Sequence, residues 1–284
     1  MKNIQAFRDE LRKFAIVKSN ELKKLLIDEQ NKKSLTKNGL SLNGRGIVNT
    51  AIAIANSREN LDRYKVFQQK TTNTAGFSFA FDFSGSMNFS INPDTPESPF
   101  LPASEFSRYQ ALVYAMESLL NIITPFGVKS YIGGVLYDII GGQGPQFETS
   151  TDSAQIHLKV IKKDTERFDL NKAFSGVQPR QGTYLCAYAQ GAIEMARRIK
   201  GVDKKIAIYM TDGEDSLSMP YLKSIQDQAK SEGIDLICAV LDIKISPLAI
   251  AKLKKDGINL AVFKTPQEFI TSLIDVLKGI YIAG

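Results

Sequence analysis

Five oxygen-bearing residues stand where they could hold a cation. Asp82, Ser84 and Ser86 alternate in the run FAFDFSGSM. One tight turn can point this carboxylate and both hydroxyls to the same side while Phe83 points away. Gly85 lacks a Cβ and lets the backbone turn closely. Asp212 closes IAIYMTD, and Thr183 lies in the RQGTYL loop that opens a helical stretch. Oxygen-only donors carrying few charges suit a hard divalent cation such as Mg2+. A +2 ion would also offset two carboxylates that otherwise repel. Asp138, at the end of another strand, and Glu214 and Asp215, just past the third loop, are candidates for the rim or for contacts behind the ligands.

The elements that must position these residues follow from the apolar pattern. FSFAFDF is a short phenylalanine-rich run bounded by Gly76 and the SGS turn, which suits a buried parallel strand. VKSYIGGVLYDII, KKIAIYMTD, IDLICAVLD and INLAVF read as further strands. Helical spacing covers residues 107–124, 184–199, 216–232, 247–255 and 266–281. Strands alternating with helices imply parallel βαβ units with right-handed crossovers, and so a doubly wound, mainly parallel α/β sheet. Ligands of such sheets collect beyond the carboxyl ends of the strands, so the loops after Asp82, before the 184–199 helix and after Asp212 are expected at one rim. AQIHLKVI is an additional strand expected at a sheet edge. Gly133-Gly134, inside a strand, marks a bulge or close packing. Residues 88–106, rich in proline, asparagine and serine, form an irregular loop.

Ahead of the sheet, Ile4, Phe7, Leu11, Phe14, Leu22, Leu25 and Leu26 have helical spacing. Residues 31–45 read as a loop and 46–56 as a short helix. The chain thus divides into a helical N-terminal extension, residues 1–70, and a main domain, 71–284. Of the net charge of +6, the extension holds a surplus: 15 Lys and Arg against 7 Asp and Glu, with 21 against 23 in the rest. A basic segment of this kind can meet nucleic acid, an anionic membrane or an acidic protein face, or be a solvated helical face. The charge excess is modest and unpatterned, which ranks nucleic acid last.

Other chemistry is poorly supported. Cys186 and Cys238 are far apart, belong to no zinc-type cluster, and read as small core residues. His157, the single histidine, reads as a strand-face residue, and no G-x-S-x-G supplies a nucleophile. Gly141-Gly142-Gln143-Gly144 reads as a turn, since no Lys-Ser/Thr follows to complete a phosphate loop. Tyr184, Tyr188 and Tyr209 read as packing residues. No apolar run is long enough to span a bilayer and no signal peptide is visible, so the expected location is the cytoplasm, the host's if the chain is viral.

FAFDFSGSM resembles the metal-ion-dependent adhesion site (MIDAS) of von Willebrand factor A-type (VWA) domains. Asp82, Ser84 and Ser86 match its first loop, Thr183 its second and Asp212 its third. The resemblance implies Mg2+, or alternatively Mn2+ or Ca2+, held by Ser84, Ser86 and Thr183. Asp82 and Asp212 would contact it directly or through water, and a partner's carboxylate would fill a free position. Within VWA proteins, LNGRGIVNTAIA, VFQQKT, SRYQALVYAMESLLNIITPFGVKSYIGGVLYD and EGIDLICAVLD are similar to the C-terminal part of the cobaltochelatase subunit CobT. That likeness implies a MoxR-type AAA+ ATPase as partner, and a non-enzymatic interaction module or a subunit of a cobalt or magnesium chelatase. The chain departs from the family in lacking a long acidic stretch and in the sequence around Thr183. Stand-alone versions also occur in phages.

Overall fold

The structure is a computed structural model that describes residues 4–31, 33–36, 66–69, 75–92, 105–124, 128–137, 148–153, 155–175, 179, 182–202, 204–212, 219–241 and 246–283. Asp138, Gly141 to Gly144, Glu214, Asp215 and the 46–56 segment lie outside these residues.

The chain begins with α1 (Ile4–Asn31), β1 (Lys33–Thr36) and β2 (Val66–Gln69). The sheet then opens with β3 (Ala75–Asp82), followed by a 3-10 turn (Gly85–Asn88), α2 (Arg108–Ile123), β4 (Lys129–Tyr137), β5 (Glu148–Thr149) and β6 (Ile156–Lys162). It continues through α3 (Leu170–Phe174), α4 (Leu185–Arg198), β7 (Lys204–Thr211), α5 (Met219–Ser231), β8 (Ile234–Leu241), α6 (Pro247–Lys255), β9 (Leu260–Phe263) and α7 (Pro266–Ala283).

Seven strands form one sheet in the order β5-β6-β4-β3-β7-β8-β9. Pairing is parallel from β4 through β3, β7 and β8 to β9, and antiparallel where β6 joins β4 and β5 joins β6. The fold is therefore the expected α/β class with a helical N-terminal segment. The strand read from AQIHLKVI is not outermost, because the two-residue β5 covers it. A second difference is the antiparallel pair of β1 and β2, which places Lys33–Thr36 in a strand rather than a loop.

The alternation of each strand divides the core into two layers. Phe77, Phe79 and Phe81 of β3 face α1, α2 and α7, together with Ile206, Ile208 and Met210 of β7. Ala80, Ala207 and Tyr209 face α4, α5 and α6. Each of the three phenylalanines is at most 1% exposed, and burying such a side chain contributes about 1.5–3 kcal/mol. Ser78, on the second face, donates to the carbonyl of Ala192 at 2.6 Å. α1 belongs to the first layer: Leu11 and Ala15 are buried there, Phe7 stacks on Phe106 at 4.5 Å, and Arg8 bridges to Glu117 at 2.6 Å.

Gly133 and Gly134 behave as their sequence suggests. The β4–β6 register shifts between Ile132 and Gly133. A Cβ on Gly134 would lie 2.5 Å from the Phe83 ring, and one on Gly133 would lie 2.9 Å from the carbonyl oxygen of Lys159. Both cysteines are buried in the second layer, and burial pushes the Cys238 thiol up to about 12. His157 lies on β6, 3.5 Å through Nδ1 from Thr149 Oγ1. Among the described residues no helix is long and apolar enough to cross a membrane.

Candidate metal centre

The chain leaves β3 through α2 for β4 on one side, and later reaches β7 on the other side of β3. The carboxyl ends of β3 and β7 therefore flank a topological switch point, where open α/β sheets form a crevice. The last β3–β7 pair is Phe81↔Met210. Asp82 follows one residue later on β3, Thr211 is the last residue of β7, and Asp212 comes directly after it. Both carboxylates are 0% exposed.

Local contacts fix them. Asp82 Oδ1 accepts from the Ser84 amide at 2.6 Å and Oδ2 from Thr211 Oγ1 at 2.7 Å. Ser84 Oγ and Ser86 Oγ are 2.9 Å apart. Ser86 Oγ donates to Asp212 Oδ1 at 2.8 Å. The turn itself is a 3-10 segment with Met87 buried beneath it, and Phe83 is driven into the core edge-on to Tyr109 with centroids 5.2 Å apart. Phe83 thus points away from the hydroxyls, as the alternation requires.

Asp212 Oδ2 has a partner that the motif did not suggest: Arg108 Nη1, at 2.6 Å. The guanidinium is 2% exposed. Thr211, which bonds Asp82, is a second partner that the motif did not suggest. The Tyr188 hydroxyl donates to the carbonyl of Gly182 at 3.2 Å. Burial and then the Asp82 charge push its ionisation upward. Tyr188 is a packing residue, 1% exposed, and its hydroxyl ties the first turn of α4 to the second loop.

Four of the five matched residues, Asp82, Ser84, Ser86 and Asp212, are thus joined by hydrogen bonds. Thr183 is half-buried one residue beyond Gly182, and no hydrogen bond connects it to those four among the described residues. Gly85 lies between the two serines and is half-buried.

The donor set fits a small hard cation. Burial pushes the Asp82 carboxyl well above the usual carboxylate range, and the Asp212 charge pushes it the same way against hydrogen bonds from Ser84 and Thr211. A cation would relieve both causes. The Ser84, Ser86 and Asp212 oxygens follow one another at 2.9 and 2.8 Å, close to the roughly 2.9 Å edge of an octahedron with Mg–O bonds of about 2.0–2.1 Å. Among the described residues no group of three or more His, Cys, Asp and Glu could hold a metal.

No protein-family model matches the sequence, and no curated protein matches it. Likeness is found among solved structures. Proximal thread matrix protein 1 from the mussel byssus is 17% identical over 72% of this chain and 47% of its own, with a TM-score of 0.43. The chain thus spans less than half of that protein. The conserved hypothetical protein BatB from Bacteroides thetaiotaomicron is 13% identical over 74% of this chain and 100% of its own, with a TM-score of 0.47. The SpRpn10 VWA domain is 13% identical over 72% of this chain and 94% of its own, with a TM-score of 0.40. One structure of the mussel protein is described as having a zinc-occupied MIDAS motif.

Proposed function

We propose that the chain is a VWA-type protein-interaction module whose contact with its partner depends on one divalent cation. The observation that carries this reading is the meeting of Asp82, Ser84, Ser86 and Asp212 at the switch point of the sheet. Ser84 and Ser86 would hold the ion, with Asp82 and Asp212 supplying negative charge directly or through water. Thr183 would join from the second loop. Bound there, the ion would supply a Lewis-acidic position for an outside carboxylate. Mg2+ is the first candidate, with Mn2+ and Ca2+ as alternatives. The likeness of LNGRGIVNTAIA, VFQQKT and EGIDLICAVLD to CobT supports a MoxR-type AAA+ ATPase as the partner. The test is a pull-down from the native host with Mg2+ and then with EDTA, read by mass spectrometry. Capture of such an ATPase in Mg2+ alone, abolished by Asp82→Ala with circular dichroism unchanged, is the expected result. Equal capture in EDTA would refute metal dependence, and absence of any ATPase would refute that partner.

A further inference from the structure

Among the described residues Arg108 is the only buried arginine. It is the first residue of α2, behind the N-cap Ser107. A helix N-terminus disfavours a cation, so the charge is placed against the preference of its own helix. Several contacts hold it there, these among them. Nη1 reaches Asp212 Oδ2 at 2.6 Å, Nε donates to the carbonyl of Ser90 at 3.3 Å, and the guanidinium lies over the Phe89 ring at 5.7 Å. Phe89 and Ser90 directly follow the turn that carries Ser86. That segment is fastened to the start of α2, since the Arg108 amide donates to the carbonyl of Phe89 at 2.9 Å and Ser90 bridges to Ser107. Ser86 and Arg108 thus take one oxygen each of Asp212.

Among the described residues, the charges of Asp82, Asp212 and Arg108 sum to −1. A divalent ion would bring the centre to +1, and one outside carboxylate would bring it to zero. Without Arg108 the ion alone would neutralise the pair.

We propose that Arg108 is a tethered counter-cation of the metal centre: it fixes Asp212 independently of metal and competes with the metal for that carboxylate, so affinity stays low until an outside anion joins. This rests on the metal-site reading above. The test uses the full chain and Mn2+ as probe, with binding followed by electron paramagnetic resonance and melting followed in EDTA and in Mn2+. Arg108→Gln is expected to bind Mn2+ at least about tenfold more tightly than the wild type, because a unit charge beside the ion is gone. In EDTA its melting point is expected to fall by about 5 °C or more, with recovery in Mn2+. Arg108→Lys, which keeps the charge but not the fork, should bind Mn2+ close to wild type and serves as the folded comparison if Arg108→Gln does not fold in EDTA. Equal or weaker Mn2+ binding by Arg108→Gln overturns the proposal while leaving the site intact. Failure of the site reading looks different: Asp82→Asn would bind Mn2+ unchanged, or no variant would bind it.

Discussion

Two regions of one sheet bury basic side chains and satisfy them in different ways. At the parallel rim, Arg108 meets the carboxylate of Asp212, with Asp82 and three hydroxyls alongside. On the antiparallel side, Lys159 and Lys162 of β6 hydrogen-bond to backbone carbonyls: Lys159 to Ala173 and Ser175, Lys162 to Ser130 and Asp164. Among the described residues the first arrangement leaves a surplus of negative charge and of oxygen donors, which is what the proposed cation would meet. The second surrounds an ammonium with dipoles, which pins the α3 segment and the turn at Asp164 to the sheet. Buried charge alone is therefore no sign of a site; the charge of the atoms around it decides.

The largest effect should come from the rim. Arg108→Met leaves Asp212 buried without its cation and is expected to destabilise the chain by about 3–5 kcal/mol in urea unfolding. Adding Asp212→Asn should recover part of the loss, and a purely additive double variant would show that the two groups are not coupled. Lys159→Met is expected to cost about 1–3 kcal/mol, since two carbonyls lose a charged donor, and Mn2+ affinity should not change. A shift in that affinity would erase the distinction between the regions. Ser107 closes a capping box with Gln110 at the start of α2, so Ser107→Ala should cost about 1 kcal/mol and weaken the hold on Arg108.

A further effect is one of pH. Burial lowers the Lys162 ammonium from 10.5 to about 8. The unfolded chain therefore binds more protons between those values, so this lysine destabilises the fold below pH 8 and does so less as pH rises toward 10.5. Denaturation of wild type and Lys162→Met at pH 7 and pH 10 should show the wild type gaining relative to the variant. A constant difference would mean that the ammonium is as well solvated inside as outside.

The sequence carried the parallel half of the fold well. FSFAFD and IAIYMT are apolar runs with turn signals at both ends, and they became β3 and β7 within a residue or two. Boundaries of the 184–199 and 247–255 helices also held, where amphipathic spacing was unambiguous. The pairing of Lys33–Thr36 with Val66–Gln69 left no local trace, because the two short strands lie far apart in sequence and no tight turn joins them. At the site, alternation of Asp82, Ser84 and Ser86 in one turn was readable since it is a local geometry. Arg108 was not, because its partner Asp212 is distant in the chain. A signal did exist: a cation directly after an N-cap serine conflicts with the helix dipole, and such local conflicts mark residues held by something else. Nothing local in IHLKVIK marks its lysines as buried: Lys159 is held by carbonyls at the end of α3 and Lys162 by those of Ser130 and Asp164.

The most direct test of the central claim is Mn2+ binding to the full chain at neutral pH, compared between wild type and Asp82→Asn with circular dichroism unchanged. One equivalent bound by the wild type, displaced by excess Mg2+ and lost in the variant, is the predicted result. Binding that survives Asp82→Asn, or no binding by the wild type even with acetate as an outside carboxylate, would contradict a metal centre at the ends of β3 and β7.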